Sequence, residues 1–169
     1  MNDTYCEKII KRKVSGGALM LRFFAVVATF IAIFLGTLVL GLFGIIAGIL
    51  LIWLDSVIFR NTDVEYEYLY ISGELVIDAI YGKRKRKRCR KFDMRKLEVF
   101  APIESDKIRD CQGNRTLKLA DYSSGMEEGK KYAFIIVVGE GDLMKVIFEP
   151  TEEMINAIKY VAPSKVHMY

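Results

Sequence analysis

The sequence predicts a membrane α-helical hairpin followed by a soluble α+β domain built on an antiparallel sheet. Three observations carry that expectation. No charged residue occurs from Phe23 to Leu54, a run of 32 positions. From Asp63 onward the apolar residues alternate with period two, as in half-buried strands. After Pro150 the apolar residues return to helical spacing. A chain of 169 residues has room for a membrane segment and one small domain. So long an uncharged run excludes an ordinary soluble core helix. The Tyr, Phe, Val and Ile content of the remainder excludes wholesale disorder.

The apolar stretch runs from Ala18 to Phe59, interrupted only by Arg22, Asp55 and Ser56 near its ends. One helix of that length would be about 60 Å long, twice the thickness of a bilayer core. Two spans, 18–36 and 39–58, fit better, with the turn at Gly36-Thr37-Leu38 because glycine is the natural helix stop. A cleavable signal peptide is disfavoured, since apolar rather than polar sequence follows the first span. Both flanks are basic and the turn is uncharged, so the positive-inside rule places both termini in the cytoplasm. Phe23, Phe24, Trp53 and Phe59 fall toward the flanked ends, where aromatic rings favour the interface. Small residues recur at four-residue spacing: Ala28, Ala32 and Gly36 in the first span, Gly44 and Gly48 in the second. Such faces let backbones approach closely. They serve either packing within the hairpin or self-association. No ionisable residue sits at mid-membrane to suggest transport.

Beyond Asp63, Val64, Tyr66 and Tyr68 alternate with glutamates, and Ser72-Gly73 is a hairpin turn. A second strand follows from Leu75 to Tyr81. Further strands are expected at Leu97–Ala101, Arg115–Asp121, Tyr132–Val138 and Leu143–Glu149. Loops are expected at 103–114 and 122–131, and a turn at Gly139-Glu140-Gly141-Asp142. Thr151 is a helix N-cap, Glu152 and Glu153 suit the positive end of the dipole, and Met154, Ile155, Ile158 and Val161 form one apolar face ended by Pro163. The count is six or seven strands and a C-terminal helix. The domains expected are an N-terminal cytoplasmic segment (1–17), the hairpin (18–59), the β domain (60–163) and a tail (164–169).

The segment Tyr68-Leu69-Tyr70-Ile71-Ser72-Gly73-Glu74-Leu75-Val76-Ile77, then Gly82, a basic run, and Phe92-Asp93-Met94-Arg95-Lys96-Leu97-Glu98-Val99, resembles the opening of bacterial pleckstrin-homology-like (PH-like) domains. The chain from about residue 5 to 163 is also similar to a family of small two-span proteins of Gram-positive anaerobes whose shared domain has no assigned function. The resemblance implies a PH-like sheet or barrel capped by a helix. It implies no activity. The basic run is denser here than is typical of such domains.

That run, Lys83, Arg84, Lys85, Arg86, Lys87, Arg88, Arg90 and Lys91, is the strongest single feature of the sequence. Without it residues 60–169 would be net acidic. Eight like charges a short tether from a bilayer point to anionic lipid headgroups, which attract each nearby Lys or Arg by about 1 kcal/mol. Three blander readings compete: an edge strand blocked by charge, pairing with the domain's own acids, or a topology signal. Nucleic acid is disfavoured, because no recognition helix or stacking platform accompanies the run.

No cofactor and no metal are expected. Cys6, Cys89 and Cys111 form no C-x-x-C pair, and the only histidine is His167. Catalysis has no visible machinery: Ser123 and Ser124 lack a histidine base, and Gly139-x-Gly141 is turn material. The expectation is therefore a non-enzymatic module at the inner face of the cell membrane, docking on anionic lipids or a protein partner. The alternative is a structural or accessory subunit of a membrane assembly, or a homo-oligomer, using the Gly/Ala faces.

Overall fold

The computed structural model describes residues 5–110, 117–127, 129–139 and 141–168. Cys111, the expected turn at 112–114 and Glu140 lie outside the described residues. By contacts the chain forms two units: residues 13–64 with 81–85, and the remainder.

The first unit is a helical hairpin. Helix α1 (Gly16–Leu40) opens on Ser15, whose hydroxyl accepts from the Ala18 N–H at 3.2 Å. Helix α2 (Leu42–Thr62) follows after a single residue, Gly41. Both are long and apolar enough to cross a membrane. The turn is at Gly41, not at Gly36 as the sequence suggests. Gly41 takes φ +57°, which glycine adopts without strain. Gly36 is used differently. A Cβ on Gly44 would lie 2.5 Å from the Thr37 nitrogen and closer still to the Gly36 carbonyl. The two glycines are therefore the point of closest helix approach, just below the turn. Gly48 seats Ile33 in the same seam. Ala28 and Ala32 are exposed on the outside of the hairpin.

Arg22 closes the open end. Its Nε donates to Thr62 Oγ1 at 2.7 Å and its Nη2 to the Phe59 carbonyl at 3.1 Å, with the guanidinium 4.9 Å from the centre of the Phe59 ring. The Phe59 carbonyl also accepts from the Asp63 N–H at 3.2 Å, so one arginine from α1 adds a further bond to the last turn of α2.

The second unit holds two four-stranded sheets. The first orders β1 (Tyr5–Lys11), β2 (Val64–Ile71), β3 (Glu74–Tyr81) and β4 (Lys85–Asp93). The second orders β5 (Leu97–Pro102), β7 (Tyr132–Val138), β8 (Asp142–Phe148) and β6 (Lys118–Asp121). Among the described residues the total is eight strands rather than six or seven. The addition at the front is β1, drawn from the segment expected to stand apart from the domain. It pairs antiparallel with β2, from Tyr5 opposite Ile71 to Lys11 opposite Glu65. A second correction concerns β6, which runs parallel to β8. The connection after Asp121 carries the chain across before β7, so that β8, returning from the β7 turn, points the same way as β6. Within the expected 103–114 loop, Asp106–Asp110 forms a short helix, α3, whose Ile108 packs on Ala101 and Ala133.

The core is aromatic. Phe134 meets Phe92 and Phe148 edge-on, each at 5.2 Å between centroids, and Tyr68 meets Phe148 at 5.6 Å. Buried tyrosines need partners for their hydroxyls. Tyr68 donates to the Tyr122 carbonyl at 2.6 Å and Tyr70 to the Ala157 carbonyl at 3.1 Å. Helix α4 (Glu152–Val161), capped by Thr151, buries Met154, Ile155 and Ile158. The chain end is held too: Val166 bridges to Phe100, and the His167 N–H bonds the Phe100 carbonyl at 2.8 Å.

Gly44→Leu drives a branched side chain into backbone that has no rotamer to yield, and overpacking of this kind costs about 1–3 kcal/mol. Thermal unfolding of the full chain in detergent should show a lower midpoint for Gly44→Leu and none for Ala28→Leu on the exposed face. Equal midpoints would remove the glycine contact from the account of the hairpin.

Candidate functional site

The basic run occupies the β3–β4 turn and most of β4. The turn is Tyr81-Gly82-Lys83-Arg84, closed by the Arg84 N–H on the Tyr81 carbonyl at 3.1 Å. Gly82 and Lys83 both have positive φ, +53° and +57°, the pattern of a type I′ hairpin turn. Gly82 must be glycine for a second reason: a Cβ there would sit 2.9 Å from Cβ of Arg60. Its N–H donates to the Asp63 carbonyl at 2.8 Å. Residues 81–85 thus belong to the hairpin unit and are fastened to the end of α2. Lys13, Arg22, Arg60, Lys83, Arg84 and Lys85 are gathered in that unit.

From Arg86 onward the run serves the sheet. On the face of β2 and β3 opposite Tyr68 and Ile77, Glu67 and Asp78 are only 4% and 7% exposed. Arg86 Nη2 donates to Glu67 Oε1 at 2.5 Å. Arg88 Nε lies 3.7 Å from Asp78 Oδ1, an oxygen with no hydrogen-bond partner. Lys91 reaches Glu74 at 2.7 Å. Phe92, at the end of β4, is buried in the core beside Phe134. Arg90 lies at the Tyr122 hydroxyl. Among the described residues, Lys83, Arg84, Lys85 and Lys87 enter no ion pair.

The eight basic residues predicted as one site are therefore divided. Arg86, Arg88 and Lys91 pair with the domain's own acids. Lys83, Arg84 and Lys85 project from the turn. The sequence reading left out Lys13, Arg22 and Arg60; their charge was legible as a basic flank, but their grouping with the turn depends on Gly82 meeting Arg60. Of the helix-packing residues, Gly36, Gly44 and Gly48 meet within the hairpin, and Ala28 and Ala32 do not.

The serines have structural work. Asp121 Oδ1 accepts from the Ser123 N–H at 2.9 Å and its hydroxyl at 2.7 Å. Glu149 Oε1 accepts from the Ser124 N–H at 2.9 Å and its hydroxyl at 2.6 Å. Cys6 is buried and Cys89 half-buried, and burial raises both thiols above their usual range. No cluster of three or more metal-ligating side chains occurs among the described residues.

Residues 2–168 match the family model described as Bacterial PH-like domain (DUF6106). The chain belongs to this family. The match covers the helical hairpin and β1 as well as the sheets, so the PH-like family pattern includes the apolar helices. No curated protein and no solved structure matches significantly.

Burial raises the Glu67 carboxyl above its ordinary value of 4.5, against the pull of Arg86 and with Glu7 and Asp78 adding to the rise. A carboxyl with a raised folded pKa opposes folding once ionised. That cost is absent below the unfolded value and complete above the folded one. Stability of the full chain should therefore fall as pH rises through the window just above 4.5. Glu67→Gln should flatten that part of the curve, read as thermal midpoint against pH. An identical slope in the variant would mean the burial of Glu67 carries no such linkage.

Proposed function

We propose that this PH-like protein is a membrane-anchored, non-enzymatic interaction module at the inner face of the cell membrane. The hairpin inserts into the bilayer as two spans with both termini cytoplasmic, and the turn of the basic run docks on anionic lipid headgroups. The observation that carries the reading is the fastening of Gly82 to Asp63 and Arg60. It sets Lys83, Arg84 and Lys85 at the end of α2 that already bears Arg60 and is clipped by Arg22. A bilayer spanned by these helices would have its headgroup layer at that end. Three turn lysines and arginines at about 1 kcal/mol each then give a preference for anionic lipid that salt weakens. The remaining residues of the run are accounted for by the sheet, and Lys87 is solvated. Lipid is favoured over nucleic acid because three of the run's four cations that enter no ion pair, Lys83, Arg84 and Lys85, lie on the hairpin unit.

Trp53 is the only tryptophan and is exposed on α2, so its fluorescence reports on neighbouring lipid. In bilayers mixing dibrominated phosphatidylglycerol or phosphatidylcholine with unbrominated lipid, quenching should give a several-fold preference for the anionic lipid. The preference should shrink at high salt and in the triple variant Lys83→Ala, Arg84→Ala, Lys85→Ala. A preference of unity in the unmodified chain would sink headgroup docking.

Ser164 is exposed near the chain end. With the three native cysteines replaced by serine, Ser164→Cys should react with a membrane-impermeant thiol reagent only after cells are opened. Labelling of intact cells would reverse the assigned orientation.

A further inference from the structure

We propose that the groove between α1 and α2 seats a transmembrane helix of another polypeptide, held by a basic side chain of that helix on Asp55. The proposal rests on the reading of the hairpin as membrane-inserted and extends it to a partner.

The groove is open on its outer side and has a volume of about 620 Å³. Val26, Phe30 and Ile33 form one wall and Ile52 and Phe59 the other, and Asp55 and Arg60 are its charged groups. Among the described residues no hydrogen bond or ion pair reaches the Asp55 carboxylate. The neighbouring Ser56 hydroxyl is spent on the Ile52 carbonyl at 3.0 Å. Arg60 lines the same groove without closing on Asp55.

Depth decides what Asp55 can meet. At about 1.5 Å per residue, Arg22 and Arg60 both lie roughly 28 Å from the Gly41 turn, close to the thickness of a bilayer core. Asp55 lies about 7 Å nearer the turn. It is therefore below the arginine level, where an unpaired carboxylate is costly and is normally matched by a cation from a neighbouring helix.

The occupant follows from charge. It must be apolar along most of its length and bring one positive charge to the Asp55 level. A second copy of this chain brings another Asp55 to that level, while its arginines lie higher. A lipid fills the groove with its acyl chain, but its amine lies outside its phosphate, above the arginines. A helix with a Lys or Arg about two turns inside its membrane end satisfies both requirements.

The probe is a synthetic Leu/Ala transmembrane peptide carrying Lys two turns from either end, so that either orientation presents a charge. A matched peptide carries Leu at both places. Acceptor-labelled peptide and donor-labelled full chain are reconstituted in liposomes and energy transfer is titrated. The Lys peptide should associate at least tenfold more tightly than the Leu peptide. Asp55→Asn should erase the difference while leaving the Leu peptide and the thermal midpoint unchanged. Equal association of the two peptides, or a Lys preference surviving in Asp55→Asn, overturns the proposal. So does Asp55-dependent transfer between differently labelled copies of the chain, which assigns the groove to a second copy. Asp55-dependent quenching of Trp53 by a brominated aminophospholipid overturns it in favour of lipid. Each reconstitution is checked by alkaline carbonate extraction. If the chain is stripped, the anchor reading fails and takes this proposal with it. If the chain resists and the Lys preference is missing, this proposal alone fails.

Discussion

The pairing of β1 with β2 is the constraint on which the rest of the molecule depends. These neighbours in the sheet are separated in sequence by the whole of α1 and α2. Topologically the helical hairpin is the loop of a β-hairpin, leaving at Lys11 and returning opposite it at Glu65. Any bilayer the insertion crosses must then be crossed an even number of times, whatever the charges on its flanks. The entropic cost of such a long insertion is modest, because loop closure grows only with the logarithm of length. The cost falls further when the insertion is itself ordered and its ends are held together. Arg22 bridging to Thr62 and Phe59 does that from within the hairpin.

The same geometry explains why the basic run is so dense. A sheet face with two nearly buried carboxylates pays heavily for desolvation unless each finds a cation. Glu67 has one in a short charge-assisted bond to Arg86. Asp78 is served less well, with Arg88 at 3.7 Å and one oxygen without a hydrogen bond. Both arginines are more than half exposed, so the pairs contribute little net stability beyond cancelling the burial cost. Three of the eight residues, Arg86, Arg88 and Lys91, thus follow from the acids of β2 and β3. Arg90 lies at the Tyr122 hydroxyl, and among the described residues Lys83, Arg84, Lys85 and Lys87 pair with no acid of the domain.

Much of this was legible in the sequence. The doubled apolar stretch, the period-two strands from Val64, the Ser72-Gly73 turn and the Thr151 cap all act locally, and each is found. What was not legible depends on distant partners. Tyr5–Lys11 carries only Cys6 and Ile10 as buried apolar residues. It reads as a polar tail until β2, more than fifty residues away, supplies its hydrogen bonds. Gly36 and Gly41 are both plausible helix stops. The choice between them is made by Gly44, which needs a residue without a side chain opposite it.

The turn itself makes the last step. Type I′ turns favour glycine or asparagine wherever φ is positive, because a Cβ there crowds the backbone. The first such position, Gly82, obeys the rule and has Arg60 against it. The second, Lys83, breaks it at φ +57°. The corresponding turn between β2 and β3 also holds one non-glycine residue at positive φ, Ser72 at +48°, but at its first position, with Gly73 second. A non-glycine residue in this region costs roughly 1–2 kcal/mol, and local strain of that size persists where the surrounding structure enforces it. Here the enforcement comes from the Asp63 carbonyl and the β3–β4 ladder. Glycine at position 83 would relax the turn without disturbing either. The chain keeps a lysine instead, trading turn stability for a charge at the open end of the hairpin. A run whose only task was to neutralise Glu67, Asp78 and Glu74 gives no reason for that trade.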